Sequence, residues 1–237
     1  MRSWLLYLAL FLIVVAACIL AMPWWAPHVL AWSHPDVIFR GDSDRKVLYV
    51  TIDDAPSDAT PSIMAVLKEN HVPATFFVIG GRVHSDAQLR RIVEAGFSLG
   101  NHMRTTARCS SLSLPEFRSD FDLTDRLLRR FSAPVYFRPP SDLGTPEQMA
   151  YVASKGYQPI MGTVFPLDHW IQKPSLLAPL TRWLAVPGGI VIMHDGDVRG
   201  RTTAKVLADV LPALKRAGYT FESLDRMTPA KGISDAK

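Results

Sequence analysis

The chain has 237 residues, of which 48% are hydrophobic and 20% are charged. This is enough for one domain with a sizeable core plus a terminal segment. The formal net charge of +4 comes without long runs of lysine or arginine, so the composition argues against a nucleic-acid partner. Cys18 and Cys109 are not expected to pair, because Cys18 lies in an apolar N-terminal segment.

That N-terminal segment is almost uninterruptedly apolar over residues 4–22, with Arg2 before it and Trp24-Trp25 after it. At about 1.5 Å per residue the run is roughly 28 Å long, close to a hydrocarbon thickness of about 30 Å. The positive charge before it, with no lysine or arginine after it until Arg40, favours a cytoplasmic N-terminus. Residues 1–22 are therefore predicted to be a membrane anchor or signal segment, with the domain exported to the periplasmic or extracellular side.

Cleavage of this segment is the alternative to an uncleaved anchor. Val15-Ala16-Ala17 suits signal peptidase loosely, and with Cys18 it forms a weak lipobox. The apolar residues 19–22 beyond it favour the uncleaved transmembrane helix. Residues 23–44, rich in proline, tryptophan and histidine without a clear period, are predicted to be a linker to a domain over 45–237.

Within that domain, strand-like runs alternate with segments whose apolar residues recur at helical spacing. Such β-α repetition with short connections predicts an α/β fold with a parallel sheet, and about seven units suggest a barrel or near-barrel. The predicted strands are 47–52, 74–79, 98–100, 135–138, 158–164, 189–193 and 220–223.

Polar residues gather at the ends of these predicted strands. Asp53 and Asp54 follow the first strand, at the end where parallel α/β folds carry their chemistry. Adjacent carboxylates there can diverge, one toward a metal and one toward a substrate, although an isolated pair is as typical of a turn or a helix cap. Four further motifs favour a site: Asn101-His102, Phe137-Arg138-Pro139-Pro140, Leu167-Asp168-His169-Trp170 and Ile192-Met193-His194-Asp195.

With these motifs in this order, residues 45–224 resemble the polysaccharide deacetylases of carbohydrate esterase family four, the NodB-homology domain. The resemblance implies an irregular (β/α)7 barrel. It also implies a metal-dependent hydrolase that removes N-acetyl groups from the amino sugars of an envelope polysaccharide or oligosaccharide. The implied partners are an N-acetylated glycan and, through the N-terminal segment, a membrane; the sequence leaves the oligomeric state open.

The resemblance also assigns roles to individual residues. Asp53 matches the general base, Asp54 a metal ligand, and Arg138 the arginine that holds the base. His194 matches the general acid, and Asp168 matches the carboxylate that holds its imidazolium. The family's usual glycine after the two aspartates is replaced by Ala55, which is tolerable only if that residue keeps a negative φ.

The metal site departs from the family pattern. The family has two histidines at i and i+4. Here His102 matches the first, and Thr106 stands at the position of the second. The implied cofactor is a divalent metal ion, zinc or another divalent cation, held by Asp54 and His102. A third ligand from His84 or His169 is the remaining alternative.

Two aromatic residues are further candidates, each with an alternative. Trp170 is interpreted either as the aromatic wall of a sugar site or as a core residue. Tyr136, or a neighbouring backbone N–H, is a candidate to support the oxyanion.

Two rival functions remain beside the deacetylase. One is a catalytically impaired glycan-binding protein on the same fold, and the other is a hydrolase of a different, non-peptide C–N bond. The presence of the implied base, its arginine and the implied acid speaks against the binding protein, which has no need of them.

Overall fold

Strands and helices alternate along the chain in the computed structural model, which describes residues 2–42 and 44–229. The strands are β1 Val47–Ala55, β2 Ala74–Val78, β3 Ser98–Asn101, β4 Tyr136–Phe137, β5 Gln158–Pro159, β6 Gly189–His194 and β7 Thr220–Phe221. The helices are α1 Arg2–Leu20, α2 Met22–Ser33, α3 Thr60–Glu69, α4 Asp86–Glu94, α5 Leu114–Leu128, α6 Pro146–Ser154, α7 Pro174–Leu184 and α8 Asp197–Arg216.

The strands form one parallel sheet in the order β5-β4-β3-β2-β1-β6, with β7 paired to the beginning of β1. All nine residues of β1 are buried, as expected for a central strand covered on both faces. An isolated bridge between Val164 and Val191 links the segment after β5 to β6. The predicted α/β fold with a parallel sheet is confirmed, and its form is a half-barrel. Among the described residues, regular strands do not close the predicted seven-unit barrel.

The core on the helical side of the sheet fixes the position of β1 and β6. Ile63 and Leu67 of α3 pack in one cluster with Leu207 and Leu211 of α8, and all four side chains are buried. Burying a side chain of this size contributes about 1.5–3 kcal/mol each. Ile52 of β1 and Met193 of β6 belong to the same cluster, so the strand ends that carry Asp53 and His194 are held by this core.

The N-terminal helices α1 and α2 leave large apolar side chains exposed, among them Phe11, Ile13 and Trp32. Among the described residues, no single helix is long and apolar enough to cross a membrane. The stretches Leu10–Leu20 and Met22–Ser33, bent by 59°, meet the length and composition requirement only as a pair. The membrane span over residues 1–22 stays a prediction.

The predicted linker, residues 23–44, contains most of α2 and a packed segment. Val37, Ile38 and Phe39 are buried, and Ile38 forms a parallel bridge with Ile160. The Arg40 Nε donates a hydrogen bond of 2.8 Å to the Pro187 carbonyl. Packing against the sheet therefore begins before residue 45, where the sequence had no periodic signal to show it.

Candidate active site

The end of β1 sends two neighbouring carboxylates in different directions. Asp53 lies in register with His194 on the adjacent strand β6. Asp54 has a φ of 66°, a left-handed conformation that Asp adopts more readily than most residues, and the positive φ does not extend to Ala55. The condition set by the alanine is met, and the local turn separates the surroundings of the two acids.

Asp53 is held by a buried arginine. The Arg138 Nη1 donates to the Asp53 Oδ1 at 2.6 Å and to the Thr51 Oγ1 at 2.6 Å. The Arg138 Nη2 donates to the Met161 carbonyl at 3.0 Å, and the guanidinium lies 4.2 Å from the centre of the Phe77 ring. Burial lowers the pKa of Arg138, and Asp53 opposes that shift. A side chain with so many fixed contacts holds the Asp53 carboxylate in one orientation.

His194 is held by the second buried acid. The His194 Nδ1 lies 2.9 Å from the Asp168 Oδ1, and the His194 backbone N–H donates to the Asp168 Oδ2 at 2.7 Å. Burial alone would lower the pKa of His194, but the hydrogen bond and charge of Asp168, followed by the charges of Asp53 and Asp54, raise it above its usual value. Because Asp168 occupies Nδ1, proton exchange with a substrate falls to Nε2.

Asp54 and His102, the two predicted metal ligands, are brought together. The His102 Nε2 lies 3.8 Å from the Asp54 Oδ1, and the His102 Nδ1 is 2.6 Å from the Arg138 backbone carbonyl. In metal sites, a hydrogen bond from one ring nitrogen to a carbonyl commonly orients a histidine whose other ring nitrogen binds the metal. Both side chains are buried, and the Asp54 Oδ1 and the His102 Nε2 face each other.

Two arginines that sequence reasoning missed also converge on Asp54. The Arg199 Nη2 lies 2.8 Å from the Asp54 Oδ2, and the Arg82 Nη1 lies 3.7 Å from the same oxygen and donates to the Asp54 backbone carbonyl at 2.7 Å. Burial would raise the pKa of Asp54, but His102, Arg82, His194 and Arg199 together lower it. The only feature of the sequence that could have indicated Arg82 and Arg199 is their position in the segments that follow β2 and β6.

The remaining candidates for a third metal ligand are placed elsewhere. Thr106 is exposed in a non-helical loop, so it does not lie one helical turn from His102. His84 is exposed, and the His169 Nδ1 faces the Arg199 Nη1 at 3.3 Å. Within residues 2–42 and 44–229, no three His, Cys, Asp or Glu side chains come together as a metal-binding group.

The donor set around Asp54 therefore does not fit a three-ligand metal site. Asp54 and His102 supply two ligands, and the other carboxylate oxygen of Asp54 is already paired with Arg199. A cation at this oxygen would have to displace a guanidinium or lie beside two of them, which like-charge repulsion opposes.

A cleft of about 640 Å³ opens beside this arginine pair. Its walls come from the loops after β1, β2 and β6 and include Ser57, Arg82, His84, Gly196 and Arg199. Asp58 also lines the cleft, so the two arginines are opposed by one carboxylate there and leave the lining with an excess of positive charge.

Trp170 lies on the surface near His194. Its exposure excludes the interpretation of Trp170 as a core residue. Its side chain is 71% exposed. Phe165 contacts both Trp170 and His194, with ring centres 6.4 Å and 5.8 Å apart, and His169 lies 5.5 Å from His194 by the same measure. An exposed aromatic face near His194 suits the apolar face of a sugar ring.

Tyr136 is not brought into the site. Its hydroxyl donates to the Leu224 carbonyl at 2.9 Å, and its ring packs against the cluster that contains Tyr49 and Ile38.

Asp195, next to His194, is a buried structural acid. It accepts hydrogen bonds from the Ser57 Oγ at 2.6 Å, from the Thr60 Oγ1, and from the Gly196 backbone N–H at 2.7 Å. Burial raises its pKa, and these hydrogen bonds oppose the shift. Asp195 thereby ties the beginning of α3 to the beginning of α8, the helix that carries Arg199.

Comparison with known proteins points to one family. Residues 40–160 match a family model described as polysaccharide deacetylase. A chitooligosaccharide deacetylase from Bradyrhizobium sp. (strain ANU 289) is 31% identical over 203 residues, which are 78% of this chain and 92% of the relative.

Solved structures share the fold. A peptidoglycan N-acetylglucosamine deacetylase superposes with a TM-score of 0.78 at 24% identity, covering 84% of this chain and 95% of that one. A pseudoenzyme of carbohydrate esterase family four from Bacillus anthracis superposes with a TM-score of 0.75 at 28% identity, covering 81% of this chain and 69% of that one. An enzyme and a pseudoenzyme are thus both similar to this chain.

Proposed function

The chain belongs to the polysaccharide deacetylase family, whose deacetylases hydrolyse C–N amide bonds, and from that premise we propose that it removes N-acetyl groups from the amino sugars of an envelope polysaccharide or oligosaccharide. One observation carries the proposal. Asp53 and His194 stand side by side on neighbouring strands, and each is held by its own buried partner, Arg138 or Asp168. A protein that only binds glycans needs no such pair.

The two groups divide the proton transfers of amide hydrolysis. Asp53 takes a proton from a water molecule as the water oxygen bonds to the acetyl carbon, and the carbonyl oxygen becomes an oxyanion. The oxyanion then re-forms the carbonyl as the C–N bond breaks, and the electron pair of that bond goes to the nitrogen, which takes the proton from the His194 Nε2. Asp168 stabilises the imidazolium before this transfer. Acetate and a free amine are the products. Asp53 afterwards releases its proton to solvent and His194 takes one up.

A glycan substrate is supported by the aromatic surface and by the relatives. Trp170 and Phe165 form an exposed aromatic patch beside His194, where a sugar ring that carries the acetamide would lie. The Bradyrhizobium relative is named for chitooligosaccharides, and one similar structure is named for peptidoglycan N-acetylglucosamine.

Deacetylases of this family are in general metal-dependent. Here Asp54 and His102 would be the protein ligands of a zinc or other divalent ion, but the surroundings of Asp54 do not fit one. The steps above are therefore assigned to Asp53 and His194 alone.

The proposed location is the outer face of a membrane, with residues 1–22 as the anchor. The charge pattern around Arg2 and the exposed apolar side chains of α1 support it, because such side chains are stabilised in contact with lipid. Fractionation of the full-length protein with membranes, resistant to high salt and alkali, is the result expected. Recovery in the soluble fraction contradicts the anchor.

A catalytically impaired glycan-binding protein is the second candidate. It is supported by the similarity to the Bacillus anthracis pseudoenzyme and by the incomplete set of metal ligands. This candidate predicts glycan binding without any release of acetate.

Acetate release from N-acetylglucosamine oligomers and from peptidoglycan separates the two candidates. The deacetylase proposal predicts release by the parent chain and its loss in Asp53→Asn. Binding of the same oligomers in calorimetric titration, with no acetate formed by either protein, selects the glycan-binding candidate.

A further inference from the structure

The first turn of α8 places a guanidinium where the family pattern leads one to expect a metal ion. The Arg199 Nη2 lies 2.8 Å from the Asp54 Oδ2, which makes the two side chains a close ion pair. On its other side the Arg199 Nη1 lies 3.3 Å from the His169 Nδ1. These contacts fix the guanidinium between Asp54 and His169, whose ring centre lies 5.5 Å from that of His194.

The backbone around Arg199 is built for this close approach. Gly196, with a φ of 95°, allows α8 to begin directly beneath the two guanidinium groups, and a Cβ there would lie 3.5 Å from both the Arg199 Nη2 and the Arg82 Nη1. At Gly200 a Cβ would meet the Ala59 Cβ at 2.5 Å and the Asp195 Oδ1 at 2.6 Å. Only glycine fits at residue 200, so the first turn of α8 packs closely against Ala59 and Asp195. This packing holds Arg199 beside Asp54.

We propose that Arg199 is the resident cation of this site: its guanidinium takes the place beside Asp54 that a divalent metal ion would take, and it stabilises the oxyanion formed from the acetyl carbonyl. The inference rests on the proposed deacetylation. Asp53 accepts the proton of water, the carbonyl oxygen gains its negative charge beside Arg199, and His194 protonates the leaving nitrogen. No metal and no further reactant is needed for the balance.

The proposal explains the residue that replaces the family's second histidine. A metal ion needs a third ligand at residue 106, whereas a guanidinium needs only the acceptor supplied by Asp54. Thr106 therefore faces solvent without loss to the site. The deacetylase that results works without a metal and is insensitive to chelators.

Zinc titration of the full chain tests the charge replacement without relying on activity. The parent chain is expected to show no 1:1 zinc binding that depends on Asp54. Arg199→Gln, which removes the charge and leaves Asp54 and His102 in place, is expected to bind zinc at least about 10-fold more tightly than the parent. Arg201→Gln, at an exposed position of the same helix, is the matched control and should behave as the parent.

Two results of this titration overturn the proposal. One is 1:1 zinc binding by the parent chain that disappears in Asp54→Asn, and the other is equal zinc affinity of the parent and Arg199→Gln. If Arg199→Gln does not fold, Arg199→Lys takes its place. With a cation retained, it should bind zinc as weakly as the parent, and tighter binding overturns the proposal.

Acetate release is measured on the same proteins. Arg199→Gln should lower kcat by about 10²–10³-fold with a smaller change in KM, as for loss of an oxyanion donor, whereas chelator should leave the parent rate unchanged. A parent rate abolished by chelator and restored by zinc overturns the resident cation. If the parent releases no acetate from any glycan while its zinc titration is negative, the proposed function fails and the replacement of the metal by Arg199 stands.

Discussion

Asp53, unlike its chain neighbour Asp54, is paired with the buried Arg138. This pairing predicts two effects of removing the charge of Asp53. Asp53→Asn is expected to lower kcat by about 10²–10⁴-fold, because the general base is lost. It should also lower the free energy of unfolding, since it leaves the buried Arg138 charge without its carboxylate. Steady-state acetate release and thermal melting check the two effects.

Asp209→Asn is the matched control for this substitution. Asp209 is an exposed residue of α8 whose pairing with Arg182 is at the surface, and such pairs contribute little. A full rate in Asp53→Asn would remove this residue from the chemistry.

The raised pKa of His194 predicts the pH dependence of the rate. The acid must be protonated, so kcat should fall as the pH rises through that raised value, above the usual pKa of about 6.5. Asp168→Asn removes the hydrogen-bonded charge that raises the pKa and should move this fall to lower pH. The same shift stabilises the fold below about pH 6.5, and that contribution is lost as the pH rises through the raised pKa.

A profile of log kcat against pH for the parent and Asp168→Asn checks this prediction. An unchanged alkaline limb in the variant would show that another group sets it.

At the residue scale, the sequence predicted the side chains that belong to short motifs but missed Arg82 and Arg199. Asp53, Asp54, His102, Arg138, Asp168 and His194 follow strands in a recognisable order. Arg199 comes near Asp54 only because α8 docks through Asp195 and Gly200, contacts with α3 and its preceding loop. A single sequence contains no local sign of that docking.

At the scale of elements, the docking of α8 can be tested through Gly200. Gly200→Ala places a methyl group against Ala59 and Asp195, so it should lower the free energy of unfolding by about 1–3 kcal/mol, although alanine favours helices. Because the strain is borne by the turn that carries Arg199, kcat should fall as well. Chemical denaturation and acetate release measure the two effects.

Lys205→Ala, at an exposed position of the same helix, serves as the control and should change stability by less than about 0.5 kcal/mol. Parental stability and rate in Gly200→Ala would show that α8 can move away from the site freely.

The seven strands were predicted in the right places, but β5 is shorter than residues 158–164. After Pro159 the backbone changes partners: the Ile160 N–H bonds to the Phe137 carbonyl, the Met161 N–H to the Ile38 carbonyl, and the Val164 N–H to the Ile190 carbonyl. An apolar run shows that a segment is buried. It does not show which neighbour takes each hydrogen bond, because that depends on residues far away in the chain.

For the whole molecule, two truncations distinguish the N-terminal helices from the packed segment. Deleting residues 1–33 should leave the melting temperature of the domain nearly unchanged, because α1 and α2 leave most of their described apolar side chains exposed. Deleting residues 1–44 removes the buried Val37, Ile38 and Phe39 and should cost several kcal/mol, at about 1.5–3 kcal/mol for each such side chain.

Thermal melting of the two truncated proteins compares them directly. Equal melting temperatures would place the beginning of the folded domain at residue 45, as the sequence suggested.

The register that sets Asp53 beside His194 also places the reacting groups and the surface around them on different kinds of backbone, strand and loop. Both reacting groups are carried by the paired, buried strands β1 and β6, whose amides should be among the last to exchange with deuterium. Trp170, Ser57 and His84 belong to connecting loops, which tolerate substitution and insertion. Relatives can therefore acquire new glycan preferences by loop replacement while the hydrolytic pair stays fixed in the sheet.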